Sequence, residues 1–245
     1  FQRDKQKPMI SNPKVVIVMP AYNAAKTLQS TYEEIPVNLR KNIILVDDGS
    51  RDNTVEIAKS LNIRVFTHSK NLGYGGNQKT CYLAALKENP DVVVMLHPDY
   101  QYDAGLIEEL IRPILEGRYD FMFGSRIQNR RSALSGGMPK LKYYVNRIVC
   151  LLENILLDVN FTEHFSGFRA YSAKLLKSVS FLEFSDDFVF DQQMAMAALT
   201  LGFRIGEIPI PTRYHEKASS IQFLRGTKFI LDIFWNIFLY KLHKF

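Results

Sequence analysis

In its first hundred residues the chain alternates short apolar runs with amphipathic stretches. Lys14 to Met19 (KVVIVM), Asn42 to Val46 (NIILV), Ile63 to Thr67 and Val92 to Leu96 (VVVML) are rich in β-branched residues. Runs of this kind mark strands buried on both faces of a parallel sheet. Between them, Ala24 to Ile35, Asn53 to Leu61 and a segment running from the loop 71–76 to about Lys87 read as helices, the second capped by Asp52 or Asn53. Strands and helices alternating at this length predict an α/β fold with a mostly parallel central sheet. The second half changes character. Tyr119 to Phe123 reads as a strand that ends in Gly124-Ser125-Arg126, and Gln128 to Met138 as a basic, Gly/Ser-rich loop. Pro139 to Asp158 reads as a long helix, Phe161 to Tyr171 as a polar loop, Gly206 to Pro211 as a late strand closed by two prolines, and Phe229 to Leu242 as a strongly aromatic helix. No repeat or low-complexity block interrupts the pattern.

In open α/β sheets, ligands bind beyond the carboxyl ends of the strands, so the residues there carry the candidate chemistry. The first strand ends in Pro20-Ala21-Tyr22-Asn23 and the second in Asp47-Asp48-Gly49-Ser50. A carboxylate there can accept from a base N–H or a ribose hydroxyl, and Tyr22 can pack on a ring. Asp-Asp-Gly-Ser is also a common turn and helix cap. The fourth strand runs into His97-Pro98-Asp99-Tyr100-Gln101. Pro98 biases His97 toward extended backbone. In an extended segment His97, Asp99 and Gln101 share one face and could converge on one divalent cation. The plainer readings are a polar turn, and a His97 that only hydrogen-bonds a ribose or phosphate. The loop Asn71 to Asn77 (NLGYGGN) opens a helix, where Gly73 and Gly75 would let the backbone approach a phosphate. It is neither GxGxxG nor a P-loop.

Composition narrows the partners. The 245 residues are 47% hydrophobic and 23% charged, as in a globular protein of one large or two small domains. A formal net charge of +6 and a pI of about 9.2 favour anionic partners: nucleotides, lipid phosphates, a membrane surface or nucleic acid. The bases do not interleave with aromatics along one sheet, which argues against nucleic acid. Cys81 and Cys150 form neither a metal spacing nor a disulfide framework, which points to a reducing compartment. Phe1 to Lys14 is polar and mixed in charge, unlike a signal peptide. No apolar stretch reaches the roughly 18 residues of a spanning helix.

Taken in order, PAYNAAKTL, ILVDDGSRDNT, NLGYGGNQ, MLHPDYQYD, FGSR and FSGFRAY resemble a family 2 glycosyltransferase of the GT-A (Rossmann-like) fold, and most of all the polyprenyl-phosphate sugar transferases of the dolichyl-phosphate mannosyltransferase type. The resemblance runs from about Val15 to Ile221. It implies a polar tail at 1–13, a catalytic domain at 14–221 with a nucleotide-binding half (14–104) and an acceptor half (105–221), and an amphipathic, membrane-proximal segment at 222–245. It implies that Pro20, Tyr22, Asn23, Asp47, Asp48, Gly73, Gly75, His97 and Arg213 hold a nucleotide-diphosphate sugar. Asp99 and Gln101 match the second Asp and the Gln of the family's metal motif, and His97 stands where its first Asp is expected. A metal held by Asp99, Gln101 and His97 would be Mg²⁺ or Mn²⁺, with imidazole favouring the softer ion. Ala24 stands where many relatives carry Glu. Asp186, Asp187 and Asp191 stand where relatives often place an acidic base, although acidic residues also favour a first helical turn. Asp99, Arg126, Asp187 and Asp191 are thus the catalytic candidates. Arg126, Lys142, Asn146, Arg147, Ser166 and Arg169 are those for the acceptor phosphate, with Glu163-His164-Phe165 replacing the residues that often precede SGFR. Glu207, Arg213, His215, Lys217 and Ser219 resemble a late segment that closes over the pyrophosphate.

Pro139 to Asp158 and Phe229 to Leu242 combine bases with aromatics, which suits a lipid headgroup layer. The competing readings are core packing and a homo-oligomer interface. The resulting expectation is an inverting enzyme, peripheral at the cytoplasmic face of a membrane, that moves a hexose from a nucleotide-diphosphate sugar to a polyprenyl (dolichyl or undecaprenyl) phosphate. One alternative is transfer to a hydroxyl of a glycan or glycolipid, which would need Asp187 or Asp191 as a base. The other is a non-catalytic nucleotide-sugar-binding protein, which His97 and Ala24 keep open.

Overall fold

The computed structural model describes residues 12–127, 129–211, 213 and 223–242. The expectations on His215, Lys217 and Ser219, and on nearly all of the 1–13 tail, fall outside these residues. Along the chain run β1 (Val15–Ala21), α1 (Leu28–Glu34), β2 (Ile43–Asp47), α2 (Thr54–Ser60), β3 (Arg64–Thr67), α3 (Tyr74–Leu86), β4 (Val92–Met95), α4 (Ile107–Leu115), β5 (Phe121–Ser125), α5 (Arg130–Ser135), α6 (Lys140–Leu157), β6 (Arg169–Ser172), α7 (Ala173–Ser178), α8 (Phe190–Thr200), β7 (Ile205–Pro209) and α9 (Phe223–Lys241).

The strands form one seven-stranded sheet in the order β3-β2-β1-β4-β6-β5-β7, so both halves of the chain share it. β1 pairs parallel with β2 and β4, whereas β6 runs antiparallel to β4 and β5. This is the mixed, largely parallel sheet of a GT-A fold. Every residue of β1 is buried because each face meets an apolar layer. Val15, Ile17 and Met19 join Leu28 of α1, Ala58 of α2, and Ile107, Leu110 and Ile114 of α4. Val16 and Val18 join Cys81, Tyr82 and Ala85 of α3 and Phe190 and Met194 of α8.

Three readings of the sequence are corrected here, the first being the segment 128–138, expected as a loop, in which Arg130–Ser135 forms helix α5. Arg169 to Tyr171, taken as the end of a loop, belongs to strand β6 (Arg169–Ser172). Arg169 hid it, since a charge in the middle of a sheet breaks the apolar pattern. The chain tolerates it because three backbone carbonyls absorb the guanidinium, as described below. The aromatic helix, expected from Phe229, begins at Phe223, and its aromatic side is divided. Ile233 and Ile237 are buried against Val149 and Leu157 of α6, with Phe229, Phe234 and Tyr240 packed around them. Leu231, Trp235, Phe238 and Leu242 stay exposed. α6 spans the expected range and ends at Asp158, whose left-handed backbone (φ 56°) closes the last turn.

Candidate active site

The carboxyl ends of β1, β2 and β4 open on one side of the sheet, where short loops lace the candidate residues together. The Asn23 amide donates to Ser50 Oγ at 2.8 Å, and Asn23 Oδ1 accepts from the Arg51 amide at 2.8 Å. Pro20 is buried within β1, and Tyr22 stands exposed beside the junction. The two aspartates that close β2 differ. Asp48 is buried and held by the loop: it accepts from the amides of Leu72 (2.8 Å) and Gly73 (3.1 Å) and pairs with His68 Nδ1 (2.8 Å). It pins the glycine-rich loop against the end of β2. Asp47 accepts from the Ser50 amide at 3.0 Å through Oδ2, while its buried Oδ1 has no partner among the described residues. Such an acceptor is costly to leave unsatisfied, so Asp47 is the carboxylate that suits a ligand.

The glycines of the loop serve packing, not phosphate approach. A Cβ on Gly73, where φ is 89°, would lie 2.7 Å from Asp186 O, and one on Gly75 would lie 2.3 Å from Ser185 O and 2.9 Å from Phe190 Cβ. The Gly75 amide donates to Asp186 O at 2.8 Å, so the start of α3 is already occupied by the chain. Gly75→Ala is therefore expected to cost about 1–3 kcal/mol through forced backbone shifts and to weaken nucleotide binding as the loop moves. Urea denaturation and calorimetry on the same variant check both effects.

Beyond β4 the chain turns. Tyr100 takes φ 59°, and the Gln101 amide and Nε2 donate to Asp99 Oδ1 (3.1 Å) and Oδ2 (2.8 Å). His97, Asp99 and Gln101 therefore do not share the face of an extended segment, and Gln101 clamps Asp99. Among the described residues no group of three or more His, Cys, Asp or Glu side chains is placed to hold a metal. Arg213 braces this turn from outside: it pairs with Glu34 (2.8 Å) and lies over the Tyr100 ring at 4.5 Å.

His97 points inward. Its Nε2 is 3.2 Å from the Tyr74 hydroxyl, and the two rings stack at 5.3 Å. The Tyr74 hydroxyl donates to Asp191 Oδ2 at 2.7 Å, Gln78 Nε2 donates to Oδ1 at 3.2 Å, and the Arg169 guanidinium lies 3.8 Å from Oδ2. Burial, then the Asp191 charge, pushes the Tyr74 hydroxyl well above its usual range. Burial pushes the His97 imidazole below its ordinary value, against the pull of Asp99 and Asp191. Asp191 is 8% exposed and fully engaged, so it is not placed as a free base. Asp187 accepts from the Phe188 amide (2.9 Å) and pairs with Lys228 of α9 (3.0 Å). The exposed Asp186 pairs with Lys79 at 2.7 Å.

A second cluster follows β5. Glu163, at 0% exposure, accepts from the Arg126 amide (2.7 Å), Arg126 Nε (2.8 Å) and Nη2, and Asn146 Nδ2 (3.3 Å). Lys142 stands close enough that burial, then the Arg126 charge, lowers its pKa. The structure thus gathers Arg126, Lys142 and Asn146. It leaves Arg147 on the outer surface, donating to Thr162 O (3.0 Å). Ser166 is buried. Arg169 is a staple beneath the site: its guanidinium donates to Ser166 O (2.7 Å), Asp191 O (2.8 Å) and His164 O (2.9 Å), which leaves it no reach to an acceptor.

The sequence profile described as Glycosyl transferase family 2 matches residues 16–180, two thirds of the chain. The chain belongs to glycosyltransferase family 2. It is 30% identical over 221 residues, 90% of this chain and 88% of the relative, to an uncharacterized protein of Methanocaldococcus jannaschii. It is 28% identical over 249 residues, 94% and 97% of the two chains, to a UDP-N-acetylglucosamine–dolichyl-phosphate N-acetylglucosaminyltransferase of Methanococcus voltae. Glucosyl-3-phosphoglycerate synthase of Mycobacterium tuberculosis, in complex with Mn²⁺, UDP and glucosyl-3-phosphoglycerate, superposes with a TM-score of 0.69 at 18% identity, over 93% of this chain and 79% of that one. This last likeness is one of fold.

As a family 2 enzyme, the protein is a GT-A glycosyltransferase that draws on a nucleotide-diphosphate sugar. Sequence reasoning missed two of its central side chains. Tyr74 sits inside the glycine-rich segment, and its partner Asp191 is 117 residues away. Glu163 offered a signal, an acidic residue three positions before Ser166-Gly167-Phe168-Arg169, but nothing in the sequence joined it to Arg126.

Proposed function

We propose that this enzyme transfers a hexose, with inversion, from a nucleotide-diphosphate sugar to the phosphate of a polyprenyl phosphate at a membrane surface. The observation that carries the reading is the outer face of α6. Leu141, Tyr144, Val145, Ile148, Leu151, Leu152 and Ile155 are all exposed along it, Ile155 to 68%. Leu231, Trp235, Phe238 and Leu242 continue the apolar surface on α9, which packs beside α6. Lys142 stands on the same helix, beside Arg126. Two cationic side chains thus lie next to an apolar face, which would suit an amphiphile with an anionic head. No described helix is long and apolar enough to cross a membrane. The named dolichyl-phosphate transferase, similar over nearly its whole length, agrees with this acceptor class.

The state of the acidic residues favours the same acceptor. A hydroxyl acceptor needs a general base, and Asp187 and Asp191 are both engaged in ion pairs or hydrogen bonds. A phosphate oxygen is already anionic. It attacks the anomeric carbon as the bond to the nucleoside diphosphate breaks, in one in-line displacement that needs no proton transfer. Asp47 accepts from the nucleoside, and Arg126 with Lys142 orients the incoming phosphate.

The residues present suit a divalent ion. Mg²⁺ is commonly held by only one or two carboxylates together with substrate phosphates, and Asp99, oriented by two hydrogen bonds from Gln101, would be such a carboxylate. A bound Mg²⁺ or Mn²⁺ would neutralise charge on the leaving diphosphate.

The test supplies a panel of labelled nucleotide sugars with dolichyl phosphate or undecaprenyl phosphate in liposomes, and with soluble glycan and small hydroxyl acceptors. Transfer to the lipid phosphate, giving an acid-labile glycosyl phosphodiester, is expected. Transfer confined to a hydroxyl acceptor overturns the reading. For the surface itself, Trp235→Glu with Phe238→Glu is expected to release the protein from anionic liposomes in flotation assays, without change in circular dichroism or in nucleotide-sugar affinity. A double variant that still floats would place the membrane contact elsewhere.

A further inference from the structure

We propose that Tyr74, backed by Asp191, is a positioning residue that fixes the tautomer of His97, leaving the imidazole's only lone pair on Nδ1 as a nitrogen donor for the divalent cation of the donor diphosphate. The inference deepens the proposed metal use and rests on it only for the cation, not for the tautomer.

The geometry leaves the proton no freedom. Tyr74 has one hydroxyl proton, and the 2.7 Å contact to Asp191 Oδ2 consumes it, because a carboxylate oxygen only accepts. Gln78 and Arg169 hold that carboxylate in place and keep it an acceptor. The Tyr74 oxygen can then meet His97 Nε2, 3.2 Å away, only as an acceptor, so Nε2 carries the hydrogen. A lone pair at Nε2 would face a lone pair on Tyr74, which the stacked and tightly packed rings cannot relieve. The Ser166–Phe168 loop seals the same edge of the ring: a Cβ on Gly167 would lie 2.7 Å from both Cδ2 and Nε2 of His97. Nδ1 takes no hydrogen bond among the described residues. The neutral ring has one N–H and one lone pair, and the lone pair is at Nδ1.

This separates two roles that the sequence left open for His97. A histidine that hydrogen-bonds a phosphate must donate, and here the nitrogen that donates is turned inward to Tyr74. The nitrogen left over can only accept or ligate. Metal-bound histidines characteristically donate their other N–H to an oxygen that sets tautomer and orientation, and Tyr74–Asp191 has that form. Asp191 thereby acts through two other side chains and touches no reacting atom. An imidazole nitrogen added to the Asp99 carboxylate in a ligand set would favour Mn²⁺ over Mg²⁺.

The experiment uses the intact protein with ¹⁵N-labelled histidine. Without metal, the His97 ring is expected to show a protonated Nε2 and an unprotonated Nδ1. Added Mn²⁺ alone should broaden the Nδ1 resonance first. Tyr74→Phe keeps the ring and removes the acceptor, so the tautomer preference should be lost and about tenfold more Mn²⁺ should be needed for the same broadening. His97→Asp supplies the control, because a role confined to packing would persist there. In that background, Tyr74→Phe should leave Mn²⁺ affinity unchanged. A protonated Nδ1 in the wild-type protein overturns the proposal. So does a Tyr74→Phe variant that lowers Mn²⁺ affinity equally with and without His97. The expected tautomer with no Mn²⁺ effect at His97 would overturn the cation assignment alone.

Discussion

Glu163→Gln is expected to destabilise the protein by about 3–5 kcal/mol, the usual cost of removing one partner of a buried ion pair. For a chain of this size that corresponds to a fall in Tm of roughly 6–20 °C. The reason is the count of groups that depend on one carboxylate. Glu163 is inaccessible to solvent and holds Arg126 through its amide, Nε and Nη2, and Asn146 through its side-chain amide. With Gln in place, the 7%-exposed Arg126 guanidinium keeps its charge and loses its counter-ion, with Lys142 close by to repel it. Stability and chemistry are separable by a second variant. Arg126→Met with Glu163→Gln removes both charges and keeps a side-chain oxygen at 163 to accept from the residue 126 amide and Asn146 Nδ2, so no buried charge is left unpaired and both donors keep an acceptor. That double variant should melt near the wild type and bind nucleotide sugar normally, yet show a strongly raised KM for the lipid phosphate. Wild-type turnover on the lipid acceptor would mean that the pair is purely structural and that the acceptor phosphate is held elsewhere.

The first half of the sheet was legible because β1, β2 and β4 are buried on both faces and their residues say so without interruption. β6 was not, because its stability rests on Arg169 finding three carbonyls that lie 3, 5 and 22 residues away. Periodicity cannot report a partner at that distance. The same limit governed the site. The family motifs named His97, Asp99, Asp47 and Arg126, each at a strand end where the topology brings ligands. What each residue does depends on neighbours that no local pattern contains. Asp47 and Asp48 are adjacent and alike in sequence, but only Asp48 meets the glycine-rich loop, so only Asp47 keeps an unsatisfied oxygen. The glycines were read from their commonest use, approach to phosphate, when their true neighbour is the backbone of Ser185 and Asp186.

Glu153→Gln is expected to make the protein more stable at alkaline pH while changing little near pH 5. Glu153 of α6 is inaccessible to solvent, and its Oε1 accepts from Gln192 Nε2 of α8 at 2.7 Å. Among the described residues, Glu153 Oε2 and Gln192 Oε1 are the two oxygens of this pair left without partners. One proton on Glu153, donated to Gln192 Oε1, would satisfy both. Burial accordingly raises the Glu153 pKa from 4.5 to about 8, against the opposing influence of Gln192 and Arg169. The sign follows from the direction. Below about pH 4.5 the folded and unfolded chains both hold the proton, and the full stabilisation is present. Between pH 4.5 and 8 only the folded chain holds it, so stability falls as pH rises, and above pH 8 the loss is complete. The whole loss is on the order of 2–5 kcal/mol. Gln at 153 keeps the acceptor, supplies a permanent N–H toward Gln192 Oε1 and cannot ionise. Because Gln192 Nε2 also lies 3.4 Å from Ile233 O of α9, the clasp ties α8 to both helices of the proposed membrane face. Urea denaturation of wild type and variant at pH 5, 7 and 9 reads the effect directly. A difference in stability that stays constant across the three pH values would show that Glu153 ionises in the folded protein as it does in the unfolded chain, and the neutral clasp would be wrong.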